Sequence, residues 1–230
     1  MSRYLILTAI TGHRDELVTP EVKFDGCDYL AFVDEHFDVP IWEQRPSACF
    51  STIDRFADRR NAKVYKILAS NLFAEYDYIF WQDGNHHIVK HPREIVAEYG
   101  DFDFLCFSHP DRNCCYDESM AVARWHMDEV ENVVSQAKFY VHQKFPVQTG
   151  LYELSTFVRR GSPVVREFEL TWWEQICRFC SRDQISFPYV LWKYRDRIKL
   201  KRLKGYANLI GMNGPTGGNA YFSDNGRHKK

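Results

Sequence analysis

Asp83-Gly84-Asn85 is the first place in this 230-residue chain where chemistry is legible. The triplet comes just after YDYIFW, residues 76–81, an apolar run of the kind that forms a buried strand. A carboxylate there stands at the strand's end, where a ligand can reach it. With glycine between them, Asp83 and Asn85 can turn their oxygens toward one cation. Oxygen donors suit Mg²⁺ or Mn²⁺, and such an ion would bridge the phosphates of a nucleotide. The same three residues are ordinary turn formers, and spacing alone leaves both readings open.

Other side chains could share that chemistry. Arg59, Arg60, Lys63 and Lys66 crowd the start of a helical pattern over residues 59–73, where cations oppose the helix dipole. A nucleotide diphosphate would answer them, and a solvated basic face would need no partner. Asp183, within Arg182-Asp183-Gln184, opens a largely apolar segment. It either caps a helix or enters a pocket, orienting a sugar hydroxyl or acting at a reacting carbon. Trp172 fits an apolar stripe, which leaves its neighbour Trp173 displaced by about 100° and available to stack on a sugar ring. His109, Arg112, Tyr116 and Glu118 follow the strand-like residues 103–107 and make either a ligand-binding connection or a polar surface loop. His86, His87 and His91 raise the question of zinc. No HExxH or matching cysteine spacing accompanies them, so a pocket-lining or surface role is expected.

The elements that must position these groups alternate along the chain. YLILTAI (residues 4–10) ends at Thr11-Gly12, and YLAFV (29–33) ends at Asp34. Residues 76–81, 103–107 and 151–158 read as further strands, the last with near alternation. Three helix faces stand out: Tyr65, Leu68 and Leu72; Val130, Val133, Ala137 and Val141; Val165, Phe168, Trp172, Ile176 and Phe179. Residues 183–194 could form a fourth helix, with Pro188 in its first turn or kinking it. The order predicts an α/β fold, a mostly parallel sheet flanked by helices. Ligands of such sheets bind beyond the carboxyl ends of the strands, where Thr11, Asp34 and Asp83 would meet. No repeat or linker divides residues 1–230, so a single domain is expected, with a loop-rich tail over 211–230.

Composition removes some classes of function. Thirty Lys and Arg against 31 Asp and Glu leave no strong field of either sign, which argues against a nucleic-acid or membrane-surface binder. The seven cysteines are irregularly spaced, and the one CxxC, Cys177 to Cys180, has no second pair. Buried free thiols are expected. No apolar run approaches the ~18 residues of a spanning helix, and no leader precedes Tyr4, so a cytoplasmic location is expected.

Four stretches together resemble a glycosyltransferase-like family first catalogued only as a domain of unknown function, with plant and bacterial members. They are residues 59–85, HPDRNCCYDE (109–118), residues 136–153 and WWEQICRFCSRDQISFPYVLWK (172–193). Plant members of that family are linked to cell-wall and mucilage polysaccharide synthesis. The resemblance implies a GT-A-like fold, a Rossmann-type sheet that binds a nucleotide sugar, with UDP as the first candidate base carrier. It places Asp83 and Asn85 where such enzymes carry a D-x-D motif for Mn²⁺ or Mg²⁺. Asparagine in the third position weakens the charge offered to a cation. His228 is the candidate for the late histidine ligand that many such enzymes supply. On this reading Thr11, Gly12, Arg14 and Asp34 hold the nucleoside, and Arg60 and Lys63 balance the diphosphate. Asp83, Gly84 and Asn85 position the leaving group, and Asp183 is the carboxylate on the sugar side. His109, Arg112, Trp173 and Glu153 face a glycan or other hydroxylated acceptor. Without the anchor of Golgi members, a bacterial or viral cytoplasmic enzyme is expected. Two rivals remain: a nucleotidyltransferase, for which Thr11-Gly12-His13-Arg14 is poor in glycine, and a non-catalytic carbohydrate-binding protein.

Overall fold

A computed structural model of the chain describes residues 2–13, 15–205 and 210–212. The first strand, β1 (Tyr4–Ile10), is buried along its whole length. Its side chains alternate between two cores: Leu5, Leu7 and Ala9 enter one, Tyr4, Ile6 and Ile10 the other. Coverage on both faces is why the strand is apolar throughout. Parallel neighbours flank it, β2 (Cys27–Val33) on one side and β4 (Tyr78–Gln82) on the other. A short β3 (Glu43–Pro46) extends the sheet beyond β2.

On the far side of β4 lies β7 (Tyr152–Arg160), then β6 (Phe104–Ser108) and β8 (Leu200–Leu203), giving the order β3-β2-β1-β4-β7-β6-β8. Neighbouring strands are parallel except where β7 is one of the pair. Because β7 runs backwards, its beginning lies beside the ends of β4 and β6. Residues distant in sequence therefore share the edge at which ligands of such sheets bind.

The helices are α1 (Ala57–Ile67), α2 (Ala69–Leu72), α3 (Pro92–Tyr99), α4 (Cys115–Arg124), α5 (Val130–His142), α6 (Pro163–Arg178) and α7 (Asp183–Lys193). The larger core takes residues from α1, α2 and α4 through α7, and the smaller takes Ile95 of α3. A second, two-stranded sheet pairs β5 (His86–Ile88) with β9 (Ile210–Met212). No helix among the described residues is long and apolar enough to cross a membrane.

Several local expectations change. The helix expected over residues 59–73 breaks at Leu68, and Leu72 is exposed. The break has a cause: the buried guanidinium of Arg159 donates to the carbonyl of Ile67 at 2.9 Å and also to that of Lys66. The inward face of α5 is Val133, Gln136 and Tyr140, while Val141 points to solvent. Gln136 enters the core because it donates to the Tyr140 hydroxyl and accepts from the Cys180 thiol. The connection after β6 turns helical at Cys115. Strand β7 is buried at nearly every position because it is central. Pro188 sits inside α7, beyond its first turn. Gly211 and Met212 belong to β9 rather than to a loop, and the rest of the expected tail lies outside the described residues.

Candidate functional site

The end of β4 meets the last turn of α1 and the first turn of α7 around one ammonium group. Lys66 Nζ lies 2.7 Å from Asp183 Oδ2 and 3.4 Å from Asp83 Oδ1, and Lys63 Nζ lies 2.8 Å from the same Asp183 oxygen. Lysines three apart share a helix face, so both reach one carboxylate. The side chain of Lys66 is 2% exposed and that of Asp183 5%, against 38% for Asp83. Asp83 Oδ1 also accepts the indole N–H of Trp81 at 2.8 Å, and the Lys66 ammonium lies 5.4 Å from the centroid of that ring. The backbone N–H of Asp83 donates to Ser155 of β7, which ties the turn to the sheet.

Burial alone would raise the Asp183 carboxyl, but Lys63 and Lys66 together hold it well below the usual carboxylate range. Burial likewise opposes charge on Lys66, yet Asp183 and Asp83 outweigh it and keep the ammonium above the ordinary lysine value. At Lys63 burial wins, pulling it down to about 7. Lys66 and Asp183 are thus the settled charges of the site, and Lys63 is the lysine whose charge burial opposes most.

The turn carrying Asp83 is pressed against the end of β1. A Cβ on Gly84 would lie 2.8 Å from Ile10 Cδ1 and 3.2 Å from the Glu16 carbonyl, so any side chain there would force both neighbours to shift. Beside it, the Gly12 N–H donates to Asp34 Oδ2 at 2.6 Å, and the Ser47 hydroxyl donates to the other oxygen of Asp34. Thr11 Oγ1 donates to the Asp58 carbonyl at 2.6 Å. The segment after β3 is strapped down by Asn61, which accepts from the N–H groups of Phe50 and Ser51, and by Tyr65, which accepts from that of Ala48. Thr11, Gly12 and Asp34 therefore stand together at the sheet edge. Arg14 and His228 lie outside the described residues.

On the other side of Asp83, the half-buried Glu153 opens β7. Its carboxylate accepts from the Ser155 N–H at 3.1 Å and from Gln184 Nε2 at 3.4 Å. Burial raises its pKa, and the nearby charge of Asp83 adds to the rise. A chain of polar contacts continues outward. Arg182 donates to Gln184 at 2.9 Å and lies 3.7 Å from Glu118, whose other oxygen accepts from Arg112 Nε at 2.7 Å. His109 Nδ1 accepts from the N–H groups of Asp111 and Arg112. Glu153, Arg112 and His109 thus belong to one network that reaches the helix bearing Asp183. Trp173 is half-buried on α6 and packs against the larger core.

The four cations of α1 find their anions inside the protein. Arg59 lies 3.8 Å from Asp128, and Arg60 pairs with Asp54 at 2.6 Å while donating to the Phe179 carbonyl at 3.1 Å. Lys66 is the site residue that sequence reading left without a role of its own, although its i, i+3 spacing from Lys63 was a usable signal. Ser47 and Gln184 offered none, because their partners are set by the tertiary structure.

At Asp83-Gly84-Asn85, two of the oxygens that a divalent ion would use are already engaged. Asn85 Oδ1 is turned onto His86 Nδ1 at 2.7 Å, and Asp83 Oδ1 already takes an indole N–H and an ammonium. No cluster of three His, Cys, Asp or Glu arranged for a metal occurs among the described residues. His86 is buried in β5, its pKa pushed down to about 4 by burial. His91 caps α3, accepting from the Arg93 N–H. All seven cysteines are free thiols, Cys49 and Cys177 exposed and the other five buried.

The TOD1/MUCI70, glycosyltransferase-like domain matches residues 52–206. That span holds Lys63, Lys66, Asp83, Glu153 and Asp183, and leaves out Thr11, Gly12 and Asp34. The probable hexosyltransferase MUCI70 of Arabidopsis thaliana is 29% identical over 154 residues, which cover 62% of this chain and 26% of the plant protein. The chain therefore spans about a quarter of that relative's length. Mouse xyloside xylosyltransferase 1 in its apo form superposes over 88% of this chain and 84% of its own, with a TM-score of 0.50 and 10% identity. This likeness is one of fold: a GT-A-like α/β sheet, mostly parallel, with flanking helices.

Proposed function

We propose, since this chain belongs to the TOD1/MUCI70 glycosyltransferase-like family, that it moves a sugar from a nucleoside-diphosphate sugar to a hydroxyl of a glycan or similar acceptor. The observation that carries this reading is the meeting of Asp83, Asp183 and Glu153 at one sheet edge around Lys66. A UDP-linked sugar is the donor tested first.

Gly12 and Asp34, with Thr11 beside them, form the nucleoside end, where a backbone N–H and a carboxylate are already ordered. Asp83, the more exposed of the two lysine-bound carboxylates, faces the donor. The bond from the anomeric carbon to the diphosphate oxygen breaks with charge building on the departing group, and positive charge held in place beforehand lowers that barrier. Lys63 lies on that path. Asp183, buried and ionised, orients the sugar. Glu153, with its raised pKa, is suited to take the proton of an acceptor hydroxyl, while Arg112 and His109 line the acceptor side.

The test is release of nucleotide from UDP-, GDP- and dTDP-linked sugars in the presence of hydroxylated acceptors. One donor class should be turned over, and Asp83→Asn should lower kcat/KM by about 10²–10³-fold, the scale of one preorganised polar contact at a reacting centre. Glycan binding that is identical in wild type and Asp83→Asn, with no nucleotide bound, would instead support a carbohydrate-binding protein.

A further inference from the structure

The ammonium of Lys66 occupies the position in which the resemblance leads one to look for a metal. It is anchored from both ends. Its backbone carbonyl is held by Arg159, itself paired at 2.7 Å with the fully buried Glu169. Its head lies between Asp83 and Asp183 and over the Trp81 ring. Lys66 stands in the last turn of α1, where a cation complements the helix dipole. A second ammonium, that of Lys63, shares Asp183 and is the more exposed of the two, 13% against 2%.

We propose that Lys66 takes the organising role of the divalent cation in this transferase, with Lys63 as the cation that turns to the diphosphate, so that donor binding needs no metal. The inference rests on the proposed transferase function. A divalent ion at Asp83 would sit beside the buried ammonium of Lys66, two positive centres held against one carboxylate. An ion that took Oδ1 would leave that ammonium buried with half its partners. Asn85, the other expected ligand, is engaged by His86 and carries no charge. Lys66 already does what a bridging ion does, joining carboxylates from two different elements. Lys63 shares Asp183 with Lys66, so it can move to a phosphate while Lys66 keeps Asp183 neutralised.

The experiment is calorimetric titration of UDP, GDP and dTDP into the protein, once with EDTA and once with Mn²⁺. At least one diphosphate should bind with affinities that agree within about threefold between the two conditions, and Lys63→Met should weaken it by about tenfold or more. Lys66→Met leaves two carboxylates with one ammonium, so its diphosphate binding should become Mn²⁺-dependent, a gain that a merely structural lysine would not produce. Cooperative urea unfolding checks that this variant is folded. Should it not fold, Lys66→Arg, which keeps the charge, should retain Mn²⁺-independent binding. Wild-type binding that is lost in EDTA and restored by Mn²⁺ would overturn the inference while keeping the transferase. Affinity unchanged in Lys63→Met would overturn the role of that residue. No binding of any diphosphate in either condition would overturn the transferase reading itself.

Discussion

The setting of Asp83 is made by what surrounds it, an indole N–H, an ammonium and a backbone anchor to Ser155, and each neighbour comes from a different part of the fold. The same dependence on surroundings governs His86, three residues on. In the unfolded chain this histidine protonates near its ordinary value of 6.5, whereas burial in β5 pushes the native value down to about 4. Between those values the unfolded state binds a proton that the native state refuses. Stability from this group is therefore full above pH 6.5 and is lost as pH falls toward 4, by about 3 kcal/mol. Urea unfolding across that range should show the loss in wild type and a flatter profile in His86→Gln. Equal slopes in the two proteins would assign the acid sensitivity elsewhere. Asp183 adds no loss in this window, because its lysines hold it ionised far below it.

Arg159 joins three elements by one side chain. From β7 it pairs with Glu169 of α6 and takes the carbonyls that end α1. Glu169 in turn accepts from the N–H groups of Ser70 and Asn71 in α2. Both partners are fully buried, so removing one leaves the other charge without its counter-ion. Arg159→Met should destabilise the protein by about 3–5 kcal/mol, measured by urea unfolding. It should also lower transfer activity under conditions where the variant remains folded, because the last turn of α1 carries Lys66. A variant with lost stability and unchanged activity would show that α1 keeps its place without the pin.

For the whole molecule, the packing of helices onto the sheet decides stability, and charge contributes little at long range. A formal net charge of −1 gives no general attraction for an anionic ligand, so the positive charge that would meet the proposed donor is local, at Lys63 and Lys66. Phe168 is the centre of the larger core, with ring centroids 4.8 Å from Phe104 of β6 and 5.5 Å from Phe187 of α7. Truncation to alanine removes one of the ring contacts that hold α6 and α7 to the sheet. Phe168→Ala should cost about 3–5 kcal/mol and lower the thermal midpoint, and its effect should be additive with that of distant surface changes.

The alternation of apolar runs with helical periods was enough to specify an α/β sheet, and strands ending at Thr11, Asp34 and Asp83 marked the edge at which the candidate site lies, because burial on both faces demands continuous apolar sequence. The stripe Val165, Phe168, Trp172 and Ile176 was legible for the same reason. Polar edge strands such as LKRL in β8 carry no such pattern, since solvent on one side relaxes the demand. The reversal of β7, which brings Glu153 beside Asp83, is set by how strands pair and leaves no periodic trace. The partners of the four α1 cations were likewise decided only in three dimensions. Lys66 and Asp183 are more than a hundred residues apart, and a buried charge finds its counter-ion through packing, because desolvation makes any other arrangement too costly.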